Sequence, residues 1–183
     1  LRQIINTTVE LDIPKYAKMT IAATQKLKKF MYYISRSVPV TINYSGMARD
    51  LGIDRDDLPK YLEYLEKAEL VSALGMKANG DAILRKMDKL YLHNPNIAYV
   101  LSGGKADVGN ARETIFFCWT KERFNTLESP ISDFEIDGKT FELGGRKKGK
   151  KQITDAKEGY VVKDNIEYVF DNQIPLWMFG FLY

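Results

Sequence analysis

Cysteine and histidine are nearly absent, because the chain has one of each among 183 residues. A single cysteine excludes an internal disulfide, and the pair is too few for a zinc site built from those residues. Any bound metal ion must therefore rest on carboxylates. Proline and glycine are also few, at 6 and 13, and 45% of the residues are hydrophobic. This composition excludes a disordered or collagen-like chain and indicates a globular protein with a substantial core.

Long apolar runs are missing as well. The longest, at 174–182, is far shorter than the roughly 20 residues that span a bilayer. No basic segment followed by an apolar one opens the chain, which excludes a typical secretory signal. We expect a soluble, cytoplasmic protein with no membrane partner. The chain begins at Leu1 rather than at methionine, which we interpret as a fragment of a longer protein or a processed product.

The net charge of +3 is distributed unevenly along the chain. Residues 1–95 carry a net charge of +4 and residues 96–183 a net charge of −1, yet the stretch 144–157 within the second part carries +5. Such a basic cluster either binds phosphate groups or is a solvated loop. Its candidate nucleic-acid-binding residues are Arg146, Lys147, Lys148, Lys150 and Lys151.

The pattern of residues 14–95 predicts a winged helix-turn-helix. Residues 1–13 are interpreted as an extended lead-in, followed by an amphipathic helix from Tyr16 to Ile34 and a short strand at 40–43. Two helices then meet at a tight turn at Gly52, and Asp54 is the predicted N-cap of the second. Strands at 69–74 and 82–91, joined by a loop containing Asn79-Gly80, would form the wing.

Residues 96–183 predict a small α/β domain. The pattern favours a helix at 110–124 and a β-hairpin of strands 131–136 and 140–143 around Asp137-Gly138, a strong turn dipeptide. A helix at 150–158 and strands at 160–163 and 167–170 are predicted after it.

Two carboxylates of this hairpin are expected to converge. A two-residue turn pairs residue 139 with 136, 140 with 135, 141 with 134, and Glu142 with Asp133, and directly paired residues point to one face. Two such carboxylates can hold Mg²⁺ when phosphate and water supply the other ligands. Glu113, in the preceding helix, is a third candidate ligand. The alternative is an ordinary pair of surface carboxylates on a hairpin.

Four short motifs resemble a known family. The motifs are ARDLGI at 48–53, YLEYLE at 61–66, KLYL at 89–92 and IPLW at 174–177. Together they resemble the C-terminal half of bacterial and archaeal AAA-family ATPases. The resemblance implies an α+β protein, in which a winged helix-turn-helix is followed by a restriction-endonuclease-like domain of unknown function. It also implies an ATP-binding domain before Leu1, from which residues 1–13 would lead in, as a partner within the same polypeptide.

The resemblance also implies a set of site residues. The endonuclease-like pattern is an Asp on one strand, followed on the next strand by Glu, any residue and Lys. Asp133 and Glu142 match the two acids and Glu113 matches a helix Glu often found near such sites, but Gly144 stands where the lysine belongs. Lys147 or Lys148 could reach back from the loop to replace it. With Lys147 in that role, the implied catalytic set is Asp133, Glu142 and Lys147. We expect a bare and inactive carboxylate pair, since a missing cation removes several kcal/mol of positioning and electrostatic stabilisation.

Three functions follow from these observations, and they leave open whether the chain is an enzyme. We expect an interaction or regulatory module of an AAA-family ATPase, because the second helix of the predicted helix-turn-helix, at 54–67, has a net charge of −2 and would meet a dense phosphate field in a DNA groove. The first alternative is a nucleic-acid-binding module that uses the basic loop at 146–151. The second is a metal-dependent nuclease at Asp133 and Glu142. Salt-dependent DNA binding and metal-dependent cleavage separate the three.

Overall fold

The computed structural model describes residues 1–76 and 87–182. Over these residues the protein is a mixed α+β structure with seven α-helices and eight β-strands. It divides into two compact units, Leu1–Ala73 with Leu90–Ala106, and Leu74–Lys89 with Asp107–Tyr183. The sequence placed the boundary at residue 95; in the structure it follows Ala106 and also passes through two strands. In the described part of the chain, no helix is both long enough and apolar enough to cross a membrane.

The first unit opens with helical structure, so the predicted extended lead-in at 1–13 is wrong. Helix α1 (Arg2–Thr7), a π-helical segment (Thr8–Asp12) and helix α2 (Ile13–Ala17) follow one another. Ile5, Val9 and Ile13 recur every four residues and are all buried, which anchors this segment to the core. The wider π-helical turn changes the usual helical period. It ends just before Ile13 and Pro14, and Pro14 has no N–H to donate to that preceding turn.

Helix α3 (Ile21–Ser37) forms the centre of the first unit. It begins after Thr20, whose hydroxyl accepts a hydrogen bond from the Ala23 N–H at 3.2 Å. This is a later start than the predicted Tyr16, because Lys18 adopts a left-handed conformation at φ 50° and ends α2. One face of α3 is buried through Leu27, Phe30, Met31 and Ile34.

The remaining elements of the first unit follow α3 along the chain. The chain continues through strand β1 (Val40–Thr41), helices α4 (Tyr44–Leu51) and α5 (Leu58–Lys67), strands β2 (Val71–Met76) and β3 (Met87–Leu92), and helix α6 (Pro95–Leu101). Its strands are hydrogen-bonded in the order β1-β3-β2. Asn94 caps α6 through a 2.9 Å hydrogen bond from the Asn96 N–H, a helix that the sequence pattern did not predict. The predicted Asn79-Gly80 turn lies outside the described residues.

The second unit is a sheet with one long helix against it. Helix α7 (Val108–Thr120) precedes strands β4 (Thr126–Glu128), β5 (Phe134–Ile136), β6 (Lys139–Gly144), β7 (Gly159–Lys163) and β8 (Gln173–Pro175). In this unit the order is β2-β4-β5-β6-β7-β8. Strand β5 is antiparallel to both β4 and β6, whereas the pairs β2–β4, β6–β7 and β7–β8 are parallel.

Two predicted elements of the second unit are wrong. The helix expected at 150–158 is a single 3-10 turn (Lys151–Ile153), because the chain must fold back so tightly that a Cβ on Gly159 would lie 2.9 Å from Ile153 Cβ. The strand expected at 167–170 does not form, and its apolar residues Tyr168, Val169 and Phe170 are exposed. The left-handed Asp171, at φ 54°, reverses the chain so that residues 173–175 pair with β7 instead.

An aromatic core fixes which face of β6 points toward α7. The ring of Phe116 on α7 lies 5.1 Å from that of Phe134 and 5.6 Å from that of Phe141, and Phe179 in the closing 3-10 segment (Leu176–Phe181) is 4.7 Å away. Side chains alternate along a strand. Glu142 therefore points to the face of the sheet opposite α7.

Candidate functional site

Two regions of the structure carry the residues singled out by the sequence. The first is the turn between α4 and α5. Gly52 ends α4 in a left-handed conformation at φ 64°, and its N–H donates to the Ala48 carbonyl, as does the N–H of Ile53 at 3.1 Å. Glycine suits this conformation because it has no Cβ. Ile53 within the turn and Leu58 at the start of α5 are buried, which anchors the turn to the core.

The acidic side chains around α5 are mostly engaged within the protein. Asp57 lies 3.8 Å from the Lys26 ammonium and Glu63 lies 2.6 Å from that of Lys67. Asp54 Oδ1 accepts a hydrogen bond from the Asp56 N–H, and Glu66 Oε1 accepts one from the Ala73 N–H, each at 3.0 Å. Of these partners, Lys26 is the one that brings a positive charge from outside 54–67, so it offsets one of the two net negative charges counted in the sequence.

Two basic side chains at the start of α5 are available. Arg55 and Lys60 are exposed, and neither has an ion-pair partner within residues 1–76 and 87–182. Arg55 lies in the turn before α5, and Lys60 lies in its first turn. Of the groups on this helix, these two can contact phosphate without first breaking an interaction.

The basic loop predicted to bind nucleic acid is only partly free. Lys148 forms an ion pair with Glu142, and Lys150 forms one with Asp171. Arg146, Lys147 and Lys151 are exposed, although the Arg146 carbonyl accepts a hydrogen bond from Lys163 Nζ at 3.3 Å. Two of the five predicted cations are thus committed to carboxylates of the same unit, so the loop offers fewer charges than its sequence suggests.

The second region is the hairpin that carries Asp133 and Glu142. The predicted register is confirmed: Phe134 pairs with Phe141, residue 135 with 140, and 136 with 139. Asp137 and Gly138 both have positive φ, at 51° and 79°, as a two-residue hairpin turn requires. Asp133 immediately precedes the paired residues, and its Oδ2 accepts a hydrogen bond from the Leu143 N–H at 2.7 Å. Asp133 therefore lies against the end of β6 that carries Glu142.

Glu142 is a buried carboxylate with a basic partner. It is 1% exposed, and Ser132 Oγ donates a hydrogen bond to its Oε2. Lys148 Nζ contacts Oε1 as an ion pair, although outside hydrogen-bond geometry. The expected bare carboxylate pair is therefore wrong. The partner is Lys148, and Lys147, which the sequence placed in the catalytic set, is exposed instead.

Gly144 provides the space that lets Lys148 reach Glu142. A Cβ at position 144 would lie 2.5 Å from both Cβ and Cγ of Lys148 and 2.8 Å from its Cδ, which no real side chain tolerates. The lysine methylenes thus occupy the volume that any other residue at position 144 would fill. Gly144, which stands where the endonuclease-like pattern has lysine, is thus the residue that leaves room for Lys148 to contact Glu142.

Burial raises the pKa of Asp133 above its ordinary value. The hydrogen bond from Leu143 opposes this shift, the negative charge of Glu142 adds to it, and the positive charge of Lys148 opposes it. A carboxylate in such surroundings is a candidate for proton transfer. The arrangement of Asp133, Glu142, Ser132 and Lys148, which we call the carboxylate cluster, places opposite charges together; Glu142 is buried and the other three residues are half-buried.

A divalent metal ion does not fit the carboxylate cluster as it stands. Asp133 Oδ2 and Glu142 Oε2 already accept protein hydrogen bonds, and Glu142 Oε1 meets an ammonium group. Within residues 1–76 and 87–182, no three His, Cys, Asp or Glu side chains are grouped so as to hold a metal ion. Glu113, predicted as a third ligand, therefore does not complete a site with Asp133 and Glu142.

Sequence reasoning missed three charged groups near the ends of β6 and β7. Lys163 is only 7% exposed and pairs in register with Gly144. Gly144 is two residues from Glu142 on β6, so the Lys163 side chain lies on the face of the sheet that carries Glu142. Arg112 on α7 forms an ion pair with Asp164. A Cβ on Gly145 would lie 3.4 Å from the Arg112 guanidinium. The second glycine of the Gly144-Gly145 pair is therefore the sequence feature that could have indicated a side chain packed closely at this position.

Comparison with known proteins places the chain in a family. A family model described as a domain of unknown function, DUF8612, matches residues 1–108, and the chain belongs to this family. The chain is also similar to the HTH-type transcriptional activator ArnR of Sulfolobus acidocaldarius, with 34% identity over 64 residues, which is 32% of this chain and 24% of the relative. The chain thus spans about a quarter of the length of this curated relative. No solved structure matches it.

Proposed function

We propose that the first unit is a winged helix-turn-helix that binds duplex DNA. The observation that carries this proposal is the helix pair α4 and α5 joined at the left-handed Gly52. The element order α3, β1, α4, α5, β2, β3 agrees with it. In helix-turn-helix proteins the second helix enters the major groove and the first crosses the backbone. The similarity to an HTH-type transcriptional activator supports the same assignment.

The charges around α5 allow this role. The acids at 54, 57, 63 and 66 have partners within the unit, while Arg55 and Lys60 at the start of the helix are exposed. Residues at the N-terminal end of a recognition helix are the ones that contact base edges. We therefore assign the DNA contact to Arg55 and Lys60, and no longer favour the interaction module.

Duplex binding and its salt dependence test the proposal. Binding of a fluorescently labelled 25-base-pair duplex is followed by anisotropy from 50 to 200 mM salt, and preferred sequences are selected from a random duplex pool. Arg55→Ala and Lys60→Ala are expected to weaken binding and to lower the salt slope by about 0.9 for each phosphate that the variant no longer neutralises. If either residue contacts a base, its variant also relaxes the selected sequence at one position.

Matched variants keep the test specific. Lys15→Ala removes an exposed lysine of α2 and is expected to leave binding unchanged. The triple variant Arg146→Ala, Lys147→Ala, Lys151→Ala removes the exposed cations of the basic loop. Loss of binding in the triple variant, with none in Arg55→Ala or Lys60→Ala, would move the interface to the second unit and overturn the assignment.

Metal-dependent cleavage of DNA at the carboxylate cluster is the second candidate function. The observation that favours it is the Lys148 ammonium on Glu142, which brings a cation beside the two acids of the endonuclease-like pattern. The hydrogen-bonded state of those acids opposes it, so we expect no cleavage. Incubation of supercoiled DNA with Mg²⁺ or Mn²⁺ decides the question, because cleavage that disappears in both Asp133→Ala and Glu142→Ala would establish a nuclease.

The wider setting of the chain is also a proposal. The motifs at 48–53, 61–66, 89–92 and 174–177 support an AAA-family ATPase whose C-terminal part includes this chain, with a restriction-endonuclease-like second unit. A phosphate-binding loop in the reading frame upstream of Leu1 would support this setting. An upstream frame that encodes no ATPase domain would overturn it.

A further inference from the structure

An open groove of about 780 Å³ runs along helix α3 in the first unit. Its lining residues share one property, which is that none of them is acidic: Gln25, Lys28, Lys29, Tyr32, Tyr33, Arg36, Ser37 and Leu51. Gln25, Lys29, Tyr32 and Arg36 recur at spacings of three and four, so they form one stripe along the helix. A helix rises 1.5 Å per residue, and the backbones of Lys29 and Arg36 are therefore about 10 Å apart.

Two of the three basic side chains that line the groove have no acidic partner in the described residues. Lys28 is neutralised by an ion pair with Glu10, whereas Lys29 and Arg36 are exposed and have no ion-pair partner in the described residues. Both lie on the solvent side of α3, away from the buried stripe that contains Phe30 and Ile34. An occupant that complements the groove must therefore carry negative charge at two places along its length.

The groove also presents aromatic surface between these charges. Tyr32 and Tyr33 are half-buried. Tyr33 packs against the hydrophobic core, whereas Tyr32 lines both this groove and a small cleft shared with Ile5 and Met31. A tyrosine ring between two cations can stack on a flat aromatic group of the ligand, and stacking on nucleic-acid bases tolerates any sequence. A duplex cannot use this ring because its base faces are covered by neighbouring bases.

We propose that the α3 groove binds single-stranded nucleic acid, with phosphates at Lys29 and Arg36 and a base stacked on Tyr32. A cationic groove with interleaved aromatic rings is the arrangement that binds single strands without sequence preference. The open shape and the separation of the two cations fit an extended polymer better than a compact anion such as phosphate. This site is distinct from the duplex contact assigned to α5 and does not depend on it.

The test uses a fluorescently labelled 12-nucleotide oligo(dT) and the whole chain, with anisotropy read at 50 and 200 mM salt. Tyr32→Ala is expected to weaken binding roughly tenfold, the effect of losing one stacked base, whereas Tyr32→Phe keeps the ring and the affinity. Lys29→Gln and Arg36→Gln are each expected to lower the salt slope by about 0.7. Melting curves establish that these surface variants are folded.

Three results would overturn the proposal. They are the absence of oligo(dT) binding at 50 mM salt, equal affinity in Tyr32→Ala and wild type, and equal binding of polyglutamate, which carries charge without bases. Arg55→Ala and Lys60→Ala separate the two interfaces, since they are expected to weaken duplex binding and to leave oligo(dT) binding unchanged. Loss of oligo(dT) binding in these two variants but not in Tyr32→Ala would assign the single strand to α5 and also overturn the α3 site.

Discussion

One ion pair of the first unit and one of the second differ in how deeply their acidic partner is buried. In the first unit, Lys26 and Asp57 lie 3.8 Å apart with side chains 39% and 38% exposed. In the second, Lys148 and Glu142 are in contact with side chains 32% and 1% exposed. Water can replace either partner of the first pair, but it cannot reach Glu142. Removing one partner of an ion pair therefore costs more stability when the other partner is buried than when both are exposed to water.

The burial of a charged side chain decides whether it can also bind a ligand. The free cations of the first unit, Arg55, Lys60, Lys29 and Arg36, are exposed and can exchange water for a phosphate group at little cost to folding. The second unit buries Glu142 and Lys163 within its sheet. A charge already held by a buried partner is poorly placed to bind a ligand. The second unit still exposes Arg146, Lys147 and Lys151, so the triple variant of these residues is the necessary control for the proposal that nucleic acid contacts the first unit.

Removing the lysine of the buried pair is expected to have the largest effect. Lys148→Met keeps much of the side-chain volume but leaves Glu142 buried without a cation. Loss of one partner of a buried pair costs roughly 3–5 kcal/mol, and because Lys148 is 32% exposed we expect about 2–3 kcal/mol less free energy of unfolding by urea denaturation.

Two variants check the cause of that loss. Lys147→Met alters the exposed neighbour and should stay within about 0.5 kcal/mol of wild type. Adding Glu142→Gln to Lys148→Met removes the orphaned charge, and we expect the double variant to recover most of the stability. Equal stability of the single and double variants would show that the loss in Lys148→Met does not come from an uncompensated charge on Glu142.

The next effect concerns the space above Gly144. Gly144→Ala places a methyl group within 2.5 Å of Lys148 Cβ, so the lysine must leave Glu142 or β6 must shift. Overpacking of this kind costs typically about 1–3 kcal/mol. In a Lys148→Ala background, part of the clash and the whole ion pair are already gone, and we expect Gly144→Ala to cost less there. Additive effects of the two substitutions would contradict this coupling.

The raised pKa of Asp133 gives a smaller effect with a definite pH dependence. Because its pKa is higher in the folded than in the unfolded state, the folded protein binds more protons in acid, and the stability contributed by this group falls as pH rises through the raised pKa. Asp133→Asn never ionises and can still accept the Leu143 hydrogen bond. We expect its advantage over wild type to grow from pH 3.5 toward neutral pH in urea titrations. A stability difference that shrinks with rising pH would reverse the sign of the shift.

The hairpin and the helix pair could be predicted because their signals are local. Asp137-Gly138 fixes the hairpin register, and the spacing of Leu58, Tyr61, Leu62 and Leu65 indicates a helix with one buried side. These patterns depend on turn geometry and side-chain periodicity alone. The same reasoning places Asp133 beside Glu142.

Other features depend on contacts that sequence spacing does not encode. The π-helical segment at Thr8–Asp12 changes the period on which a helix is recognised. The choice of Lys148 over Lys147 depends on how the loop after β6 crosses Gly144. The apolar run at Tyr168–Phe170 favours a strand by composition, but the turn at Asp171 decides which residues pair with β7. Tertiary packing overrides local preference at each of these places.

The smallest effect is expected at the exposed pair of the first unit. Lys26→Gln removes the cation that faces Asp57 and keeps a long polar side chain. Since both side chains are more than a third exposed, water and salt ions replace the missing attraction, and exposed pairs contribute typically about 0.2–1 kcal/mol. At 3.8 Å we expect the lower end, a change within about 0.5 kcal/mol that vanishes at high salt. A loss as large as that in Lys148→Met, measured in the same urea titration, would mean that the exposure of its two partners does not decide how much an ion pair contributes to stability.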